Sequence, residues 1–255
     1  MSKKLSNFVK NPMSTQLPHD RNAHAYDFVQ SFYYKKIYDD FNNATLSTLL
    51  KLVPPRAIIC DYGAGTGRVA IPLAQRSYQV HAIERSNPMA DQLEKNASAA
   101  NVSIHTHRCS IAEYQGEVAD FALAVFTVLA YLLSEEELKE SLRNIRKYLK
   151  KGGGLLFDLP SKVLFEGAIP TETTNEKMTK TVSLTHQGDQ IYTYYEKLSG
   201  HMKPGISEYE ESFKIRQWQT EEIHQILTEV GFEATNQSFH QFDRFGSTYF
   251  LYRAI

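Results

Sequence analysis

Short apolar runs alternate with amphipathic stretches along the middle of this 255-residue chain. The apolar runs predict buried strands over residues 57–61, 79–84, 102–107, 119–126 and 154–159. Between them, apolar residues recur every three to four positions, which is typical of helices that bury one face. This alternation predicts an α/β protein with a doubly wound, mostly parallel sheet that is covered by helices on both faces.

Two segments carry clear signals for helix boundaries. Ser134 and Glu137 have the spacing of a capping box, and they open a helix predicted over residues 134–151. A helix predicted over residues 66–76 contains Pro72, which is expected to kink it or shift its first turns. Both segments lie between predicted strands, as crossover helices of a parallel sheet do.

The pattern changes after Pro160, where polar and apolar residues alternate over 182–184, 191–197 and 208–218. Such alternation predicts antiparallel strands. A helix is predicted from Thr220 to residue 230, and residues 232–239 and 248–254 predict a final antiparallel strand pair. We therefore expect a main domain of residues 23–159 and 219–255, a small antiparallel β insertion of residues 160–218, and a loose amino-terminal arm of residues 1–22.

Composition narrows the class of protein. The formal net charge is −1 and the basic residues are scattered, so no nucleic-acid partner is expected. No apolar run approaches the roughly 20 residues that span a bilayer, so no membrane partner is expected either. Two cysteines, and an amino terminus without the apolar segment of a signal peptide, predict a cytoplasmic protein. His105, His107 and Cys109 alternate on one strand, about 7 Å apart, so no metal site is predicted.

The most informative segment is residues 58–68, in which an apolar run ends at Asp61 and is followed by Gly63, Gly65 and Gly67. This order predicts a buried strand, a carboxylate at its carboxyl end, and a turn whose backbone can approach a ligand. A dinucleotide-binding dehydrogenase would place a glycine where Arg68 stands. Asp61 would repel a pyrophosphate, but it would suit a ligand with a positively charged amino group.

These residues resemble the cofactor loop of class I S-adenosylmethionine-dependent methyltransferases, whose pattern is an acid, any residue, then Gly-x-Gly-x-Gly. The segment from Glu84 to Met89 is similar to a second pattern of that family, in which an acid is followed by Ser and later by Met. Residues 150–154, Lys-Lys-Gly-Gly-Gly, resemble the family's Lys-Pro-Gly-Gly. The resemblance covers residues 26–255 and implies a Rossmann-like, seven-stranded sheet with an antiparallel last strand.

The resemblance implies S-adenosylmethionine as cofactor and S-adenosylhomocysteine as product. It places Asp61 near the methionine amino group, Glu84 on the ribose hydroxyls and Met89 on the adenine. Ser110 stands where the family often has an acid that receives the adenine amino group. The full set of cofactor residues implied is Asp61, Gly63, Ala64, Gly65, Gly67, Glu84, Arg85, Met89, Ser110, Ile111, Phe126 and Thr127.

An insertion after the fifth strand emerges at the carboxyl edge of the sheet, so we expect it to roof an acceptor pocket. Residues 126–132 are similar to the segment after strand four in amino-sugar N-methyltransferases. The candidate substrate contacts are aromatic residues that could hold an amine by cation–π contact: Tyr33, Tyr38, Tyr131 and Tyr194. The candidate catalytic residues are Tyr131 and His201.

The expected reaction is transfer of a methyl group to a small-molecule acceptor by in-line displacement, with nitrogen favoured over oxygen. Positioning supplies most of the catalysis in such a reaction, because the sulfonium already activates the methyl group. Three alternatives stay open: a protein or RNA acceptor, a module that binds S-adenosylmethionine without turnover, and a dehydrogenase. The sequence does not indicate the oligomeric state.

Overall fold

The computed structural model describes residues 17–255 except residues 34, 167–170, 175–177 and 201–207. The chain begins with a 3₁₀ helix, Asp20–Asn22, and two helices, α1 Ala23–Tyr33 and α2 Lys35–Leu52. Strands and helices then alternate: β1 Ile58–Tyr62, α3 Ala70–Ala74, β2 Gln79–Ile83, α4 Asn87–Ala99, β3 His105–His107, β4 Ala119–Ala124, a 3₁₀ helix Val128–Tyr131, α5 Glu135–Lys147 and β5 Leu149–Pro160.

The carboxyl-terminal half differs in character because most of its strands are antiparallel. Its elements are α6 Lys162–Glu166, β6 Thr171–Thr174, β7 Met178–Gly188, β8 Ile191–Gly200, β9 Glu208–Arg216, α7 Thr220–Glu229, β10 Phe232–Ala234, a 3₁₀ helix His240–Phe245 and β11 Ser247–Ala254. No helix in the described ranges has both the length and the apolarity needed to cross a bilayer.

The main sheet has seven strands in the order β10-β11-β5-β4-β1-β2-β3. Strands β1 to β5 are parallel, and β11 pairs antiparallel with both β5 and β10. The predicted fold class, with its antiparallel closing strands, is therefore confirmed. The strand order reverses between β1 and β4, and ligands of open α/β sheets bind at the carboxyl side of such a reversal.

Apolar side chains cover both faces of this sheet. Leu138, Leu142 and Ile145 of α5 pack on one face together with α7. Leu49 of α2 and Leu93 of α4 pack with α3 on the other face. Because both faces are buried, β1, β4 and β5 consist almost entirely of apolar residues at their centres.

Several boundaries differ from the predicted ones for local reasons. Helix α3 covers only Ala70–Ala74 rather than residues 66–76, because the glycine loop continues as turns through Arg68. Strand β5 begins at Leu149 rather than residue 154, because Leu149 pairs with Ala119 across a register shift in β4. Helix α5 consequently ends at Lys147.

The insertion forms its own four-stranded antiparallel sheet in the order β6-β7-β8-β9. Asp189 and Gln190 make the turn between β7 and β8 with left-handed backbones, as tight hairpins require. Phe165, Leu184 and Ile215 form an apolar cluster with Ala130, which follows β4 in the main domain. This cluster joins the insertion to the carboxyl edge of the main sheet.

The predicted loose arm of residues 1–22 is wrong for its last six residues, while residues 1–16 lie outside the described part of the chain. Asn22 is buried, and its side-chain amide donates to the Glu210 carbonyl at 2.7 Å and to Glu211 Oε1 at 2.8 Å. These bonds attach residues 17–22 to β9 of the insertion. Polar contacts hold residues 17–22, so no hydrophobic periodicity marks them in the sequence.

Candidate active site

A cavity of about 410 Å³ opens at the carboxyl ends of β1, β2 and β4. The glycine loop after β1 forms its floor, and Glu84 closes the side below β2. The lining includes eleven of the predicted residues: Asp61, Gly63, Ala64, Gly65, Glu84, Arg85, Met89, Ser110, Ile111, Phe126 and Tyr131. Most of the predicted site residues therefore meet in one cavity.

The glycine loop reaches the cavity through backbone conformations that would be strained for residues with a Cβ atom. Gly63 has a φ of +71°, and a Cβ added there would lie 2.7 Å from Val128 Cγ2. The Gly63 amide donates to the Ile83 carbonyl at 2.8 Å, which fixes the loop to the end of β2. Gly67 does not line the cavity. A Cβ at Gly67 would lie 2.8 Å from Ile71 Cδ1, so this glycine lets the loop pack on α3.

Two buried carboxylates face the cavity. Asp61 is 3% exposed and Glu84 is 8% exposed. Burial raises the pKa of Asp61 to about 7, and the nearby charge of Glu84 adds to the rise. Burial also raises the pKa of Glu84, although backbone amides of Ser86, at 2.7 Å, and Gly65, at 2.9 Å, donate to its carboxylate and oppose that rise. Two acids in a desolvated cavity favour a ligand that carries positive charge.

Met89 and Arg85 line the cavity where α4 begins. Ser86 caps this helix, and its hydroxyl accepts a hydrogen bond from the Met89 amide at 3.2 Å. Pro88 occupies the first turn, where a missing amide hydrogen costs nothing. This start places Met89 beside the glycine loop.

A carboxylate that the family pattern does not predict lies next to Ser110. The Ser110 hydroxyl donates to Glu113 Oε2 at 2.7 Å, and the Ser110 amide donates to the same oxygen at 3.1 Å. These hydrogen bonds lower the pKa of Glu113. Glu113 lines the cavity next to Ile111. An ionised acid is thus present at this end of the site, three residues later than the pattern places it.

The turn after β4 adopts a strained backbone. Phe126 and Thr127 have φ values of +66° and +64°, which L-residues rarely adopt. Asp158, at the end of β5, holds this turn by accepting a hydrogen bond from the Thr127 amide at 3.0 Å, and it also accepts one from the Ser247 hydroxyl. Phe126 lines the cavity, whereas Thr127 faces away from it toward Asp158. Burial raises the pKa of Asp158 to about 6.

Arg68 separates Tyr38 from the cavity. Its guanidinium lies 3.4 Å from the centre of the Phe126 ring and 4.1 Å from that of Tyr38, and its Nε donates to Asn42. Arg68 itself lines the cavity, but Tyr38 does not. Tyr38 does not line the cavity because the guanidinium is sandwiched between the two rings, and its contact with substrate stays a prediction.

Tyr131 lies at the far end of the cavity with two residues from the amino-terminal region. Its hydroxyl is 3.1 Å from His19 Nε2, and the His19 ring packs 4.9 Å from the ring of Tyr26. Burial raises the pKa of Tyr131 and lowers that of His19 to about 4. The sequence analysis missed His19 and Tyr26 as site residues, because nothing in the local pattern connects them to the end of β4.

The remaining predicted contacts lie elsewhere. Tyr194 stacks on Phe213 with ring centres 5.1 Å apart, and its hydroxyl donates to Glu196 Oε2 at 3.1 Å. Phe213 in turn packs against His19, so Tyr194 lies behind the cavity wall. The side chain of Tyr33 and all of His201 fall outside the described residues. Among the side chains described, no group of three or more His, Cys, Asp and Glu is arranged to hold a metal ion.

Comparison with known proteins gives one match to a family model. Residues 59–153, which run from β1 into β5, match the model described as a methyltransferase domain. A protein of Geobacillus sp. (strain WCH70) that carries the name methyltransferase is 29% identical to this chain over 186 residues. The aligned region covers 68% of this chain and 73% of that relative.

Solved structures share the fold over nearly the whole chain. An S-adenosylmethionine-dependent methyltransferase from Clostridium acetobutylicum has a TM-score of 0.76 at 14% identity, with 92% of this chain and 98% of that chain covered. The sugar N-methyltransferase KedS8 from Streptoalloteichus sp. has a TM-score of 0.68 at 16% identity, with 99% of each chain covered. At these identities the likeness shows the fold.

Proposed function

We propose that this chain, a class I S-adenosylmethionine-dependent methyltransferase, methylates a nitrogen atom of a small-molecule acceptor. The observation that carries the proposal is the continuity of one cavity. Its wall runs from the Asp61 and Glu84 carboxylates to the aromatic group formed by His19, Tyr26 and Tyr131. A donor held at the first end would thus face an acceptor held at the second.

The residues at the first end fit the cofactor that we assign to them. When bound, S-adenosylmethionine supplies a methyl group on a positively charged sulfur, from which an acceptor can displace it. Asp61 would hold the amino group and Glu84 the ribose hydroxyls, while Glu113 offers a hydrogen-bond acceptor to the adenine amino group. Asp61 and Glu84 are buried, and a cationic ligand would relieve the cost of burying their charges.

The enclosure of the second end supports a small acceptor over a protein or RNA chain. The arm residues Leu17, Pro18 and His19 line the cavity together with Tyr131. A macromolecular acceptor needs an open approach to the methyl group. The likeness to KedS8, which is itself a sugar N-methyltransferase, supports a small acceptor as well.

The surroundings of the second end support nitrogen as the acceptor atom. Tyr26 and Tyr131 offer aromatic surface to an amine, and Glu211 lies directly behind His19. Aromatic faces and nearby carboxylates stabilise a cation, and an amine becomes cationic as it gains the methyl group. Both cysteines are free thiols, which accords with the cytoplasmic location we propose.

Two measurements test the proposal in order. Calorimetry should detect S-adenosylhomocysteine binding and no NADH binding, and binding of NADH alone would contradict the cofactor assignment. A screen for S-adenosylhomocysteine release should then find turnover with small amines. Turnover only with proteins or RNA would overturn the acceptor class, and cofactor binding without turnover across all classes would indicate a binding module.

A further inference from the structure

Three polar side chains from distant parts of the chain form a line behind the acceptor end of the cavity. His19 lies in the middle, with Nε2 3.1 Å from the Tyr131 hydroxyl and Nδ1 3.9 Å from Glu211 Oε1. Glu211 is buried on β9, and its other carboxylate oxygen accepts a hydrogen bond from the His19 amide at 3.3 Å. His19 Nδ1 is buried and has no hydrogen-bond partner among the described residues.

We infer that Tyr131, His19 and Glu211 form a proton relay that removes the acceptor's proton during methyl transfer. This inference rests on the proposed function, because it assumes an acceptor beside Tyr131. Tyr131 touches the acceptor, and His19 and Glu211 act through it as positioning residues. Glu211 lies in the alternating segment 208–218, whereas His19 lies in the amino-terminal arm, which carries no pattern.

The arrangement determines which imidazole nitrogen carries the proton. The Glu211 carboxylate favours the hydrogen on Nδ1, the nitrogen that faces it. Nε2 is then an acceptor, and the Tyr131 hydroxyl donates to it. His19 is therefore oriented to receive a proton from Tyr131, and the tyrosine oxygen can receive one from the acceptor at the same time.

The proton balance follows from the bond changes. The new N–C bond forms as the C–S bond breaks, and the electron pair of the C–S bond stays on sulfur. The acceptor nitrogen becomes an ammonium with one N–H in excess. That proton moves to the Tyr131 oxygen, while the Tyr131 hydroxyl proton moves to His19 Nε2. The relay ends with an imidazolium next to the Glu211 carboxylate, and the proton then leaves to solvent.

The electrostatic surroundings keep the relay ready at neutral pH. Burial lowers the pKa of His19 to about 4, and the charge of Asp20 opposes this only in part. The other titratable groups that face His19 are Tyr26 on α1, Tyr131 after β4 and Glu211 on β9. The imidazole is consequently neutral at pH 7 and Nε2 carries a free lone pair, while the imidazolium formed in the relay is held only transiently beside the Glu211 carboxylate before its proton leaves to solvent.

Nuclear magnetic resonance tests the relay without an acceptor. In protein labelled with ¹⁵N histidine, with the His19 signal assigned from H19Q, we expect a neutral ring with the hydrogen on Nδ1 from pH 8 down to about pH 5. E211Q should move the hydrogen toward Nε2. A ring that is protonated at pH 7, or a wild-type hydrogen on Nε2, overturns the inference.

Kinetics separate a chemical role from a structural one, once an amine substrate is known. H19Q and Y131F should lower kcat at least tenfold and change its pH dependence, with S-adenosylhomocysteine affinity within twofold of the wild type. His24 is exposed on α1, so H24Q is the matched control and should keep full activity.

Chemical rescue with imidazole distinguishes a proton-transfer role of His19 from a structural one. His19 has a φ of +66°, so glycine fits its backbone, and added imidazole should restore part of the kcat of H19G. H19G that binds the cofactor normally but gains nothing from imidazole, with an unchanged pH profile, overturns the relay. Failure of the wild type to bind S-adenosylhomocysteine would instead overturn the proposed function.

Discussion

The two ends of the cavity, one proposed to hold the cofactor and the other the acceptor, are built in opposite ways. The cofactor end takes most of its groups from a single stretch, from Asp61 to Met89, across one β-α-β unit. The acceptor end brings together His19 and Glu211, which are 192 positions apart, with Tyr131 from the middle of the chain. Local backbone geometry creates the first end, whereas the second exists only when arm, main domain and insertion have packed together.

This difference predicts how substitutions at each end of the cavity should affect cofactor affinity and turnover. The glycine loop and Glu84 constrain one another through the bond from the Gly65 amide, so single substitutions there should damage cofactor binding directly. The acceptor end depends on contacts between separate segments, so substitutions there should alter turnover while cofactor affinity is preserved.

The largest effect is expected at Glu84. Replacing Glu84 with Ala removes the acceptor for the Gly65 and Ser86 amides and leaves them without partners. We expect S-adenosylhomocysteine binding to weaken by about 1 to 3 kcal/mol. Calorimetry measures the affinity. The E113A variant is a milder comparison, because Glu113 lies at the exposed end that we propose for the adenine. Equal losses in both variants would contradict a cofactor end organised around Glu84.

A loss of stability, rather than of cofactor affinity, is expected from the Gly63→Ala substitution. The new Cβ would meet Val128 at 2.7 Å in a left-handed backbone, so the free energy of unfolding should fall by about 1 to 3 kcal/mol. G152A is the matched control, since Gly152 has a φ of +78° but open space around it. Chemical denaturation compares them. If both variants lose the same stability, the contact with Val128 has no role and only the backbone strain matters.

Cofactor affinity should depend on pH through Asp61. Its pKa in the free protein is about 7, and a cationic amino group binds the ionised carboxylate. The affinity should therefore fall as pH falls through 7, by about tenfold between pH 8 and pH 6. Calorimetry across this range measures it, with D61N as the control that should show a flat profile. A wild-type profile as flat as that of D61N would remove Asp61 from the site.

The smallest effect is expected at Tyr194. Its hydroxyl bonds to Glu196 behind the cavity wall, so Y194F should change the acceptor KM by less than about threefold, the effect of one partly compensated hydrogen bond. Steady-state kinetics with the amine found in the screen measures it. Y131F serves as the comparison because Tyr131 lines the cavity. A larger change in KM for Y194F than for Y131F would mean that the acceptor reaches the insertion directly.

Much of the main domain could be predicted because its signals are local. Ser134 accepts a hydrogen bond from the Glu137 amide, as the capping pattern indicates, and Ser86 does the same for Met89. The start of β5 could not be predicted, since Lys150 to Gly153 are polar or small and lie in the register shift between the Ala119–Leu149 and Phe121–Gly154 pairs. Pairing partners at a distance decide such boundaries.

The site shows the same division. Glu113 could have been found, because it follows Ser110 by three residues and such spacing allows a side chain to cap the turn before it. Asp158 could not, because its role depends on the positive φ values of Phe126 and Thr127 on the neighbouring strand. Arg68 likewise displaced Tyr38 from the cavity through a sandwich of rings that comes from three separate segments.

By itself, the sequence determined the parallel sheet, the glycine loop and the pair of acids, Asp61 and Glu84, because each depends on residue order over a few positions. Only the tertiary structure decided that Tyr131 faces His19 and that Glu211 supports them. Contacts between segments far apart in the chain depend on how whole elements pack, and the local pattern of the arm carries no trace of the partners that its polar atoms find.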